Sequence, residues 1–197
     1  MNKSRLEAFS DGVLAIIITI MILELKIPEG TSLQAVRPLW PALCSYILSF
    51  VFIGIYWVNH HHLLHTVKKV NGAIMWANML LLFSLSLVPF ATGWMGATRF
   101  DKITVAIYGA LLLICGLSFT ILAAVIKKTY SQDTSITDAL NKSKPKSILS
   151  TLFYIASIPI SLFVNPLLSA LLFVIVSVMW IIPSKAIEKA LMEQDEK

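Results

Sequence analysis

What most limits the folds open to this chain is where its charges are missing. No Asp, Glu, Lys or Arg occurs from Val70 to Thr98, and none from Ser147 to Ser184. Each run exceeds the roughly 20 residues that cross a bilayer as a helix. Only 14% of the 197 residues are charged, against roughly 25% in a soluble domain. Mean hydropathy is +0.78. The fold class that follows is all-α, a multi-pass integral membrane protein placed in the cell membrane.

Breakers divide the apolar sequence into six spans, expected at about 6–27, 39–62, 72–92, 103–127, 147–164 and 166–187. Pro28-Glu29-Gly30 ends the first. Pro38 and Pro41 suit the opening turns of the second, where a missing N–H costs little. Pro89 is expected to kink the end of the third. The polar stretch from Lys128 to Lys146 is expected to be a linker. Asn165-Pro166 splits the last uncharged run into two helices. The whole chain, 1–197, is thus expected to form one six-helix domain with no internal repeat.

An even number of spans puts both termini on one side, and Lys and Arg choose the side. Lys3, Arg5, Lys68, Lys69, Lys127, Lys128, Lys142, Lys144, Lys146, Lys185, Lys189 and Lys197 share the terminal side; Lys26, Arg37, Arg99 and Lys102 lie opposite. This imbalance predicts cytoplasmic termini. It also accounts for the net charge of +5 without a nucleic-acid partner. Cys44 and Cys115 lie in apolar segments and read as buried free thiols. The first span has no small-residue cleavage site and reads as a retained helix, not a leader.

The topology gathers polar residues into one layer. The start of the first helix, the end of the second and the start of the third share a membrane depth. Arg5, Ser10 and Asp11 can therefore meet Trp57, Asn59, the histidines His60–His62, Trp76 and Asn78. A carboxylate entering lipid needs such donors. A helical wheel, stepped at about 100° per residue, separates the first helix into two faces. Ile16, Ile20, Leu23 and Ile27 fall together within about 60° of the circumference, and Thr19 stands on the shoulder of that stripe. Ser10 and Asp11 each lie more than about 110° away from Ile16, on the far side. The helix thus has an aliphatic stripe opposite a polar anchor. Such a stripe is ordinarily a lipid or packing face, and such an anchor ordinarily a structural hub. His61 and His65 have metal-ligand spacing but lack a third ligand in sequence. The histidines titrate near neutral pH, so the layer is a candidate pH sensor.

The segment Arg5-Leu6-Glu7-Ala8-Phe9-Ser10-Asp11 has the pattern R-x-x-x-F-S-D and continues Gly12-Val13-Leu14-Ala15-Ile16-Ile17-Ile18-Thr19. Tyr56-Trp57-Val58-Asn59-His60-His61-His62 ends the second span. Trp76-Ala77-Asn78-Met79-Leu80-Leu81-Leu82-Phe83, continuing to Ser86-Leu87-Val88-Pro89-Phe90, fills the third. Together these resemble the transmembrane protein 175 family of potassium channels, most closely over the first three helices. The resemblance implies a homotetramer of six-helix subunits in a lipid bilayer, with K+ as permeant ion and no cofactor. It also implies a pore lined by the first helix and no T-V-G-Y-G filter loop.

By the same resemblance, Ile16, Ile20 and Leu23 form a hydrophobic constriction with Ile16 innermost, and Thr19 tunes cation selectivity. The resemblance also implies that Phe9, Ser10 and Asp11 point away from the pore and hold the first helix to the second and third. Shared depth offers Trp57, Asn59, His60, His61, Trp76 and Asn78 as their partners; Arg5 is the expected charge partner of Asp11, within the subunit or through a neighbouring subunit or helix. Rings of aliphatic side chains can close a pore by dewetting. Glu24 is either a cation-concentrating group at the outer mouth or a solvated rim residue. The rival is a secondary transporter or proton-coupled carrier using Asp11 and His60–His62. A membrane enzyme lacks a nucleophile, and a structural subunit differs only by flux.

Overall fold

The structure, a computed structural model, describes residues 2–28 and 30–181. Six helical segments account for the fold, and no strand occurs among the described residues. They are α1 (Lys3–Leu23), α2 (Leu33–His65), α3 (Gly72–Ala97), α4 (Lys102–Thr129), α5 (Thr134–Phe163) and α6 (Pro166–Ile181). Five include stretches long and apolar enough to cross a membrane. The sixth is a shorter apolar helix over its described part. The expected end of the last span, 182–187, lies outside the described residues.

Several boundaries differ from the sequence expectation, each for a local reason. Helix α1 ends at Leu23, with Glu24 at its C-cap. The residue before a proline is pushed out of helical geometry, and Pro28 follows Ile27 closely enough to leave that last turn unwound. Ile27 is therefore off the helical stripe and almost fully exposed. Helix α2 opens with a short turn, Leu33–Val36, and a 3-10 segment, Arg37–Leu39, before the continuous helix Trp40–His65. Helix α3 is interrupted at Leu87, between Gly72–Ser86 and Val88–Ala97. Pro89 has no N–H for the Leu85 carbonyl and crowds it. The helix resumes and runs past Thr92 to Ala97.

The largest correction concerns α5. It starts at Thr134, not near Ser147, and passes through both Pro145 and Pro159. The expected linker is mostly helix because it is fastened to α4. Leu140 packs against the core. Lys127 Nζ donates to Asn141 Oδ1 at 2.6 Å, and the Thr120 and Ser147 hydroxyls meet at 3.1 Å.

Helix α4 is the hub. It packs on both halves of α3 and on α5 and α6. Close approaches depend on small residues. A Cβ at Gly109 would lie 2.6 Å from Ser157 Oγ and 3.1 Å from Phe173. A Cβ at Gly96 of α3 would lie 2.7 Å from the Ala42 Cα on α2. Hydroxyls tie the same helices: Ser49 Oγ meets Tyr108 Oη at 2.8 Å, and Thr92 Oγ1 reaches Ser49 Oγ at 2.6 Å. Helix α1 is peripheral, packing mainly on α2 and α3. That arrangement leaves one side of α1 uncovered.

Candidate pore helix and its anchor

The covered side of α1 is built from Leu6, Ser10, Leu14, Ile17 and Met21, all buried. These positions recur at intervals of three and four, so they share one face. Four are apolar and pack into the core. The fifth, Ser10, is fully buried and polar, so it needs partners.

Its partners form a chain across three helices. Asn78 Nδ2 of α3 donates to Ser10 Oγ at 3.0 Å. Ser10 Oγ donates to the Leu6 carbonyl at 2.8 Å. Asn78 Oδ1 faces His60 Nε2 of α2 at 2.6 Å. Because the Asn78 amide is directed at Ser10, its carbonyl accepts from His60, and the ring carries its proton on Nε2. Asn78 and His60 are both buried. One turn away, Trp57 Nε1 donates to Asp11 Oδ1 at 3.0 Å at a more exposed position. At the first turn, Lys3 Nζ donates to the His65 carbonyl at 2.8 Å. The anchor is therefore two short hydrogen-bond links and a lysine tether, joining α1 to α2 and α3.

Not every residue expected in this layer joins it. Asn59 Nδ2 turns back to the Ile55 carbonyl at 2.8 Å and faces a cavity beside α4 and α5. Trp76 is 71% exposed, on the side of α3 away from Asn78. Two residues of separation are about 200° of helix, so these two side chains cannot share a face. Arg5 is exposed and makes no ion pair with Asp11 within the chain. Ion pairs among the described residues include Lys3–Glu7 at 4.0 Å and Lys68–Asp133 at 3.0 Å. Arg5 and Asp11 stand about 120° apart on the wheel. Phe9 is half-exposed and His61 exposed. The His61 ring centroid lies 6.5 Å from Trp57 and 6.2 Å from His65. No group of three or more His, Cys, Asp or Glu among the described residues is placed to hold a metal ion.

The uncovered side of α1 carries the aliphatic stripe. Ile16 is 58% exposed, Ile20 43% and Leu23 80%. Thr19 and Ala15, beside it, are also exposed. The Thr19 hydroxyl donates to its own helix at the Ile16 carbonyl, 2.9 Å away. A groove of about 700 Å3 separates the stripe from the outer half of α3, with Phe90 and Trp94 on its far wall. Glu24 closes its outer end, folded over Gly93, where a Cβ would come within 2.9 Å of the carboxylate. Sequence reasoning misses the Lys3 tether, because a flexible lysine near a helix start carries no positional signal.

Comparison with known proteins adds to this geometry. The family model for the endosomal/lysosomal potassium channel TMEM175 matches residues 5–89, which hold α1 from Arg5 onward, the Ser10–Asn78–His60 and Trp57–Asp11 links and most of α3. A potassium channel of Chryseobacterium sp. (strain P1-3), HX13_20290, is 50% identical over 193 residues, covering 98% of this chain and 100% of that one. The chain belongs to the TMEM175 family. Another relative, potassium channel B446_29190 of Streptomyces collinus, is 38% identical over 128 residues, 60% of this chain and 62% of that one. The crystal structure of a TMEM175 homologue from Chamaesiphon minutus, described as a lysosomal potassium-selective channel, has the same fold. Its TM-score is 0.79 at 24% identity, over 90% of this chain and 95% of that one.

Proposed function

We propose that this TMEM175-family chain forms a K+-permeable cation channel. Four copies surround a pore lined by α1, and both termini are cytoplasmic. Ile16, Ile20 and Leu23 from each subunit form a hydrophobic constriction, and Thr19 is the polar group nearest the ion path. The observation that carries the reading is the division of α1 into two faces. One face is pinned by Ser10, Asp11 and four buried apolar residues; the other is a bare aliphatic stripe. The small residue Ala15 beside that stripe supports packing against a neighbouring helix rather than lipid alone.

The mechanism follows from the proposed arrangement. Rings of isoleucine and leucine offer an ion no ligands, so a narrow stretch dewets and blocks conduction. A small outward tilt of α1 readmits water. Thr19 then contacts a partly hydrated cation, which gives modest selectivity compared with a filter that replaces the hydration shell. The twelve-to-four bias of Lys and Arg supports the orientation.

The test is K+ and Na+ flux from purified protein in liposomes, for wild type and Ile16→Asn. Wild-type K+ flux that rises with the asparagine is expected. Absence of flux in both proteins, with an intact oligomer, would defeat the channel reading; flux unchanged by the substitution would remove Ile16 from the constriction.

A further inference from the structure

The channel reading leaves a second cavity unused. At the lysine-rich end, α2, α4 and α5 diverge around a space of about 460 Å3. His62 enters it from α2, Lys127 and Lys128 from the last turn of α4, and Lys144 from α5. No Asp or Glu lines it among the described residues. Its floor is apolar, with Leu63, Phe119 and Leu140. A smaller apolar cleft adjoins it, sharing Asn59, Phe119, Ser147 and Trp180 and continuing to Phe52 and Tyr154.

Cations from separate helices on one concave wall repel one another and focus a positive potential into the space. Lys127 is held toward this end by its bond to Asn141 at 2.6 Å, so its ammonium group is positioned rather than free to swing into water. The volume lies within the roughly 300–1,000 Å3 of small-ligand sites. A single carboxylate offers one negative charge to several donors on different helices. A phosphate group offers more acceptor oxygens, with one negative charge as a diester and up to two as the free ion, and so can bridge them.

We propose that this cavity binds a phosphate-bearing anion. The phosphate sits among Lys127, Lys128 and Lys144, and any glycerol or acyl portion lies over the apolar floor toward the adjoining cleft. The source is an anionic phospholipid headgroup or free phosphate. The apolar floor and the position at the end of the spans favour the headgroup, as in other basic pockets between membrane helices.

The experiment measures thermal unfolding of the full chain in a neutral detergent. The probes are short-chain phosphatidylglycerol, short-chain phosphatidylcholine and inorganic phosphate. Phosphatidylglycerol is expected to raise Tm by about 5 °C near saturation, and phosphatidylcholine is not. A matching rise with inorganic phosphate identifies free phosphate as sufficient; a rise with phosphatidylglycerol alone identifies the headgroup. Lys127→Gln with Lys144→Gln abolishes the shift, while Lys69→Gln, a cation at the same end outside the cavity, keeps it. If the double variant fails to fold, Lys144→Gln alone, at an exposed residue, must weaken apparent affinity about threefold or more. The proposal is overturned if neither phosphatidylglycerol nor inorganic phosphate shifts wild type, if phosphatidylcholine shifts it as much as phosphatidylglycerol, if the cavity variant responds like wild type, or if Lys69→Gln loses the shift equally.

Discussion

Helices α1 and α4 are both plain membrane spans in sequence, yet they occupy opposite situations. Helix α4 packs on α3, α5 and α6, with buried residues on several sides, and leaves a narrow outer stripe of Ile103, Ile107, Ile114, Leu117 and Ile121 exposed. Helix α1 touches mainly α2 and α3 and keeps one side bare. The difference is not in how apolar they are. It lies in what is placed among the apolar residues. Helix α4 carries Gly109 and Gly116 where neighbours approach, plus Ser118, which meets Ser84 at 3.0 Å. Helix α1 carries the small residues Ala8 and Ala15 at exposed positions and the buried polar Ser10 on its covered side. A span that joins several neighbours and a span attached to the bundle by one side are thus distinguished by the faces on which small and polar residues fall.

Substitutions can break this contrast. The largest loss is expected from Gly109→Val in α4 or Gly96→Val in α3, because neighbouring atoms already occupy the space of a Cβ. Overpacking of this kind costs about 3 kcal/mol or more when backbone must move. The folded fraction after detergent extraction, followed by size-exclusion chromatography, checks it. Next comes Asn78→Leu. It strips partners from both Ser10 and His60 and should cost about 1–3 kcal/mol. Limited proteolysis near the start of α1 should accelerate in the same variant; unchanged proteolysis would show that the apolar face alone holds the helix.

Smaller effects sharpen the comparison. Trp57→Phe removes the donor to Asp11 and should lower stability by about 0.5–1.5 kcal/mol, read as a modest fall in Tm. The smallest stability change belongs to the bare face. Leu23→Ser, at an 80% exposed position, should alter unfolding of the single subunit by no more than about 0.5 kcal/mol. Its ion flux should nevertheless rise. If Leu23→Ser unfolds the protein as readily as Gly109→Val, the two helices are not differently used, and the one-sided picture fails.

Much of this is legible in the order of the residues. The gaps between charges mark the spans, and the wheel places Ile16, Ile20 and Leu23 opposite Ser10. What escapes such a reading is phase and fastening. Asn78 shares its face with the buried residues Ile74, Leu81 and Leu85, a spacing that already excludes Trp76 from the same contact. Asn59 stands about 100° from His60 and so serves another neighbour. The start of α5 cannot be read from hydropathy, because Thr134 to Lys146 has no apolar period. Its helix depends on contacts with α4 that only the folded chain provides. Ile27 illustrates the converse, where a strong apolar residue falls out of its helix because a proline follows it.

The direction of the hydrogen bonds at the anchor has a consequence for acid. Asn78 presents only its carbonyl to His60, so the ring must offer an N–H from Nε2. A neutral imidazole in this tautomer has that N–H, and an imidazolium has it too. A second proton on the ring lands on Nδ1, the nitrogen that does not face Asn78. Acidification that reaches His60 therefore adds a charge beside α1 without unlatching it.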